Sequence, residues 1–127
     1  MAVSKVLQKR RDRLMPNGIP KYVRCYDSGP DEVADRYTVV FTGNFSKDSG
    51  AGSYPYLSMS ENPTHPHGVI GRHNNDAEGK AIDRFWNEWP RKIGHKHPTL
   101  GTRIEWDTLP QHCRYLALNE YREIWRI

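Results

Sequence analysis

The sequence predicts a small α+β domain: an antiparallel sheet of three to five strands packed by a C-terminal helix, with long irregular loops and a basic helix or arm at the N-terminal end. Three observations carry this. Segments rich in aromatic and β-branched residues lie between turn signals in the first half of the chain. An apolar repeat at three- and four-residue steps runs from Leu109 to Ile124. The 127 residues are enough for one domain with its own core, without help from disulfides or metals.

The elements follow in chain order. Residues 1–16 form the arm and residues 17–127 a single domain. In the arm, Val3, Val6, Leu7 and Leu14 fall at roughly helical spacing with Lys5, Lys9, Arg10, Arg11 and Arg13 among them, and Pro16-Asn17-Gly18 stops any helix. So short a helix is marginal alone in water, so the arm reads either as a solvated terminus or as a nucleic-acid or partner-binding element. Lys21–Tyr26 and Arg36–Thr42 read as an antiparallel pair around the turn signal Ser28-Gly29-Pro30-Asp31. Alternation puts Tyr37, Val39 and Phe41 on the core side and Thr38, Val40 and Thr42 on the other. Gly43 to Ser53 is a loop leading to a third strand near Tyr54–Ser60.

From Glu61 to Asp76 turn residues dominate, and no regular element is expected. Asn75 or Asp76 caps a helix reaching Trp89, with Ile82, Phe85, Trp86 and Trp89 on one side and Pro90 closing it. Thr102–Trp106 alternates as a strand. The last helix starts at Thr108, in capping-box spacing with Gln111 and with Pro110 tolerated in its first turn. Leu109, Cys113, Leu116, Ala117, Tyr121 and Ile124 form its sheet-facing side. Leu118 and Trp125 add a second apolar edge, which permits a homodimer.

The charge is local. Lys5, Lys9, Arg10, Arg11 and Arg13 against Asp12 alone account for the whole formal charge of +4, and the rest of the chain is balanced. A second local excess, Arg91, Lys92, Lys96 and Arg103, meets no acid between residues 91 and 103. Both patches are suited to phosphate. No segment has the apolar core of a signal peptide or the roughly 18 apolar residues of a membrane span, so a cytoplasmic location, with no membrane partner, is expected. Cys25 and Cys113, far apart in sequence, are expected to be reduced thiols.

Three segments carry a resemblance together: Tyr37-Thr38-Val39-Val40-Phe41-Thr42-Gly43, then Met59 to Gly68 with its His65-Pro66-His67, then Gly101-Thr102-Arg103-Ile104-Glu105-Trp106-Asp107-Thr108-Leu109-Pro110. Over about residues 17–126 the chain resembles small uncharacterised proteins encoded by bacteriophages and related mobile elements. The resemblance implies a phage-type origin and the limits of the domain, and it transfers no catalytic residue.

The candidate chemistry is of two kinds. His65, His67 and His73 lie within nine residues and provide the donor types of a metal-dependent phosphodiesterase or nuclease, but no acidic residue follows the His-x-His. Arg72, His73, Arg84, Trp86, Trp89, Arg91, Lys92, Lys96 and Arg103 interleave cations with aromatic rings, the mixture that neutralises phosphates and stacks bases. No nucleophile-elbow or phosphate-loop pattern is present, and Cys113 falls on the apolar face of its helix. The sequence is therefore read as a non-enzymatic phage accessory protein. It is expected to bind a nucleotide or nucleic acid, or a bacterial protein whose defence role it antagonises, without a cofactor. The metal-dependent hydrolase is the alternative.

Overall fold

The computed structural model describes residues 5–30, 35–42, 55–64, 69–71, 92–97 and 100–127. Among these residues, six strands form one sheet in which every pairing is antiparallel. The strands are β1 (Val23–Asp27), β2 (Tyr37–Phe41), β3 (Tyr56–Met59), β4 (Val69–Gly71), β5 (Lys96–His97) and β6 (Gly101–Ile104), in the spatial order β4-β3-β2-β1-β6-β5. Helix α1 (Lys5–Leu14) precedes the sheet and helix α2 (Gln111–Trp125) follows it. The α+β class, the antiparallel sheet and the packing of the C-terminal helix on it are those the sequence predicts, but the sheet has six strands where three to five are expected, because β4 and β5 are too short to show a period of their own.

The core sits between the sheet and α2. Cys25, Tyr37, Val39, Phe41, Leu57 and Met59 from the strands meet Cys113, Ala117 and Tyr121 from the helix, together with Leu14 and Leu109. Cys113, Ala117 and Tyr121 are spaced by four residues, so one stripe of α2 delivers all three to the sheet. A fully buried side chain of the size of Phe41 or Met59 contributes about 1.5–3 kcal/mol.

The face of β2 opposite α2 departs from expectation, because every residue of the strand is buried. Tyr26, Val40, Tyr56 and Leu100 form a second apolar cluster there. Alternation identifies which residues share a face, and it does not tell a half-buried strand from one covered on both sides.

Three local expectations are corrected. Residues 69–71, in the segment read as irregular, form β4 and pair with β3 through Ser58↔Val69, Leu57↔Ile70 and Tyr56↔Gly71. The strand read as Thr102–Trp106 begins one residue earlier and gives way to a 3-10 turn at Trp106–Thr108. The capping box does not form: α2 starts at Gln111, its preceding residue is Pro110, and no side chain caps it. The cause is Pro110 itself, which disfavours helical geometry at the residue before it. Leu109 is extended at φ −62° and ψ 140°, so a helix cannot run through it from Thr108. The loop at 43–53 and the helix read at 76–89 lie outside the described residues.

Candidate functional site

Helix α1 owes its position to the residues that face inward. Leu7, Arg10, Arg11 and Leu14 fall on one side of a 3.6-residue helix, with Leu14 fully buried. Arg10 Nη2 donates to the Trp125 carbonyl at 2.6 Å and Arg11 Nη2 to the Ile127 carbonyl at 3.3 Å. Both cations thus sit at the C-terminal end of α2, where unsatisfied carbonyls and the helix dipole favour positive charge. Lys5, Lys9 and Arg13 follow at four-residue steps on the outward side, and all three are exposed. The neighbouring Asp12 accepts from Gln8 Nε2 at 2.9 Å. The five cations read as one arm therefore divide into two that dock the helix and three that face solvent.

The second basic segment divides in a similar way. The Gly94 N–H bonds to the Arg103 carbonyl and the Arg103 N–H to the His95 carbonyl, both at 2.8 Å, so two residues face one in a bulge leading into β5. Gly94 has φ +89°, which a glycine adopts without cost. Lys92 and Lys96 are exposed. Lys96 pairs with Thr102 and Arg103 with Tyr26, so Lys96 and Arg103 belong to opposite faces of the sheet. Arg103 is half-buried and stands beside Arg24 and Tyr26, on the face away from α2. Burial, together with the neighbouring Arg24 cation, pulls its guanidinium below the usual range. Burial pushes the Tyr26 phenol up, against the pull of Arg24 and Arg103. Arg72, His73, Arg84, Trp86, Trp89 and Arg91 lie outside the described residues, as do His65 and His67 of the metal-ligand set.

The thiols are as expected, free and buried. Burial pushes both up to about 12, Cys25 against the pull of Arg103. Cys113 Sγ lies 3.4 Å from His112 Nε2, a distance at which a Cys–His pair could act as nucleophile and base. The hydrogen bonds argue otherwise. His112 Nε2 is 2.8 Å from the Ser60 carbonyl, which only accepts, so this nitrogen carries the proton and cannot take one from sulfur. The thiol itself points to the same carbonyl at 3.7 Å. Among the described residues, no group of three His, Cys, Asp or Glu side chains is arranged to hold a metal ion.

Two arrangements escaped the sequence reading. Arg36 joins Asp27 through two hydrogen bonds (2.9 and 3.2 Å) and Glu61 through a third at 2.7 Å, and its guanidinium lies 5.0 Å from the Tyr37 ring centre. The network ties the ends of β1 and β2 to the segment after β3. Arg24 and Tyr26 were read only as strand residues; the signal available was that both alternate with Cys25 and so leave the α2 face together.

Comparison with protein-family models, with curated proteins and with solved structures returns no match for this chain. Its function is therefore argued from its own residues. Among the described residues no helix is long and apolar enough to cross a membrane.

Proposed function

We propose that the chain is an accessory binding protein of a phage or mobile element, acting in the cytoplasm of a bacterial host, that contacts the phosphate backbone of nucleic acid through the outward face of α1. The observation that carries this reading is the division of labour among the arm's cations. Arg10 and Arg11 hold the helix against the end of α2, which leaves Lys5, Lys9 and Arg13 together on the solvent side. At 1.5 Å per residue their stems are spaced about 6 Å apart. A preformed row of cations binds phosphates without first having to be ordered, which removes part of the entropic cost that a disordered arm carries.

We read the role as binding, and neither thiol speaks for turnover, since burial holds both protonated and His112 Nε2 is committed to the Ser60 carbonyl. Fluorescence anisotropy of labelled duplex and single-stranded oligonucleotides, taken through a salt series, tests it. Three phosphate contacts to duplex DNA give a log–log salt slope of about −2.7. The triple variant K5A/K9A/R13A should retain the circular dichroism of the parent and lose that slope; equal binding by both proteins would refute the reading.

A protein partner is the second reading, and Tyr115 favours it. This ring is 66% exposed on α2 and borders a shallow cleft of about 500 Å³ with Pro63, Gln111 and His112. Exposed aromatic side chains of this kind anchor protein interfaces. A host defence protein bound there would lose its capture by immobilised protein when Tyr115 is replaced by alanine.

A further inference from the structure

The chain passes from α1 toward the sheet through one tight 3-10 turn, Pro16–Gly18, and this turn carries a reactive pair. Asn17 is followed by glycine, as no other asparagine of the chain is. Such a pair can cyclise, because the next backbone nitrogen closes a five-membered ring on the side-chain carbonyl carbon and glycine sets no Cβ in its path. Both residues are exposed, and a Cβ on Gly18 would meet nothing within 4 Å, so the ring has room and water has access.

The folded turn restrains that reaction. Asn17 holds φ 56° and ψ 28°, a left-handed conformation that asparagine tolerates better than most residues. The Gly18 N–H is engaged with the Met15 carbonyl at 3.0 Å and the Ile19 N–H with the Pro16 carbonyl at 3.1 Å. The Lys21 N–H bonds to the Leu14 carbonyl at 3.0 Å, so the loop from the end of α1 is clamped beyond the turn as well. To reach Asn17 Cγ, the Gly18 nitrogen must leave Met15 by rotation about the Asn17 Cα–C bond, which is a local opening of the turn.

We propose that Asn17-Gly18 is a modification site at which the chain converts itself, through a cyclic imide, to an isoaspartyl linkage that unseats α1. The Gly18 nitrogen gives its proton to solvent and forms a bond to Asn17 Cγ, while the side-chain nitrogen takes up a proton and leaves as ammonia. Water then opens the imide. Attack at Cγ gives aspartate with the main chain unaltered, and aspartate still tolerates the left-handed turn. Attack at the main-chain carbonyl of residue 17 gives isoaspartate, in which Gly18 is carried by the former side chain and the main chain is one carbon longer. The Met15–Gly18 and Pro16–Ile19 bonds then lose their register, and α1 is joined to the sheet by a longer, negatively charged hinge. The reaction needs no ligand and stands apart from the nucleic-acid reading.

The test keeps the whole chain at body temperature in mildly alkaline buffer, native and in guanidinium chloride, and maps its peptides by mass spectrometry with isoaspartate separated from aspartate. Conversion is expected at Asn17 and not at Asn62, which precedes proline, or at Asn119 inside α2. It should be slower in the native protein, where the turn must open first. In the converted protein the α1 amides should exchange with deuterium several-fold faster than in the parent, while those of β2 keep the parent rate. Asn17→Gly places a residue suited to positive φ and should abolish both effects. Freshly purified Asn17→Asp should exchange as the parent does, which separates the longer backbone from the added charge. A native chain still unconverted at Asn17 when the denatured one has converted overturns the proposal, and so does unaltered α1 exchange in the converted protein.

Discussion

The Tyr121 hydroxyl donates a hydrogen bond of 2.6 Å to the Leu14 carbonyl, joining two residues 107 positions apart in the chain. The same oxygen accepts from the Tyr22 N–H at 3.4 Å. One phenol, fully buried, thus satisfies the end of α1 and the start of the sheet at once. Tyr121→Phe leaves the Leu14 carbonyl with the Lys21 N–H (3.0 Å) as its donor and takes the acceptor from the Tyr22 N–H, and should cost about 1 kcal/mol. Urea unfolding measures it, and an unchanged midpoint would mean that water replaces the hydroxyl.

The Arg36 network sets the acid behaviour of the fold. Burial pushes the Asp27 carboxyl up, but the Arg36 hydrogen bonds and the Gly29 N–H outweigh it and hold the group below its ordinary 3.8. A carboxylate depressed in the folded state contributes stability above its unfolded value, and this is lost as pH falls through the folded one. Arg36→Met should therefore cost about 1 kcal/mol at neutral pH. It should also flatten the loss of stability below about pH 4, as followed by denaturant titrations from pH 7 down to about 2.

Alkali acts through the thiols. Cys25 and Cys113 are raised from 9.0 to about 12, so the unfolded chain ionises first. Stability from this source is complete below about pH 9 and falls as pH rises toward about 12. Neither thiol should react with Ellman's reagent in the folded protein near pH 8, and both should react in denaturant. Cys113→Ala should reduce the alkaline slope as well as the absolute stability.

Gly101 sits where no other residue fits. Its φ is +92°, and a Cβ there would overlap the Asp27 carbonyl and the Ser28 Cα. Gly101→Ala should destabilise by about 2 kcal/mol or more, because strain and backbone displacement add. A melting temperature within a degree of the parent would show that β6 can move away from β1 at no cost.

The sequence was legible where one physical rule acted alone. β-branched and aromatic density revealed β1, β2 and β3, Pro16-Asn17-Gly18 marked the end of α1, and four-residue spacing selected Cys113, Ala117 and Tyr121 for the core. It was less legible where two rules competed. Capping-box spacing at Thr108 yielded to the constraint Pro110 places on Leu109. At 69–71 the flanking turn residues masked a strand of three, too short to show a period of its own. The candidate sites were harder still, because they depend on pairing. That Arg10 and Arg11 face the end of α2 while Lys5, Lys9 and Arg13 do not follows from the docking partner of α1. Likewise, the proximity of Arg24 and Arg103 depends on which strand lies beside β1, and local sequence does not encode that.

The docking of α1 also sets an order of events. Its bonds to α2 span 107, 115 and 116 positions, and each is the kind of distant closure that forms only after local structure has brought its partners near. The helix is therefore expected to behave as a latch, opening without dissolution of the sheet and α2. Its amide protons should be among the first of the regular elements to exchange with solvent, and any ligand that grips only the closed latch slows them in proportion to its affinity.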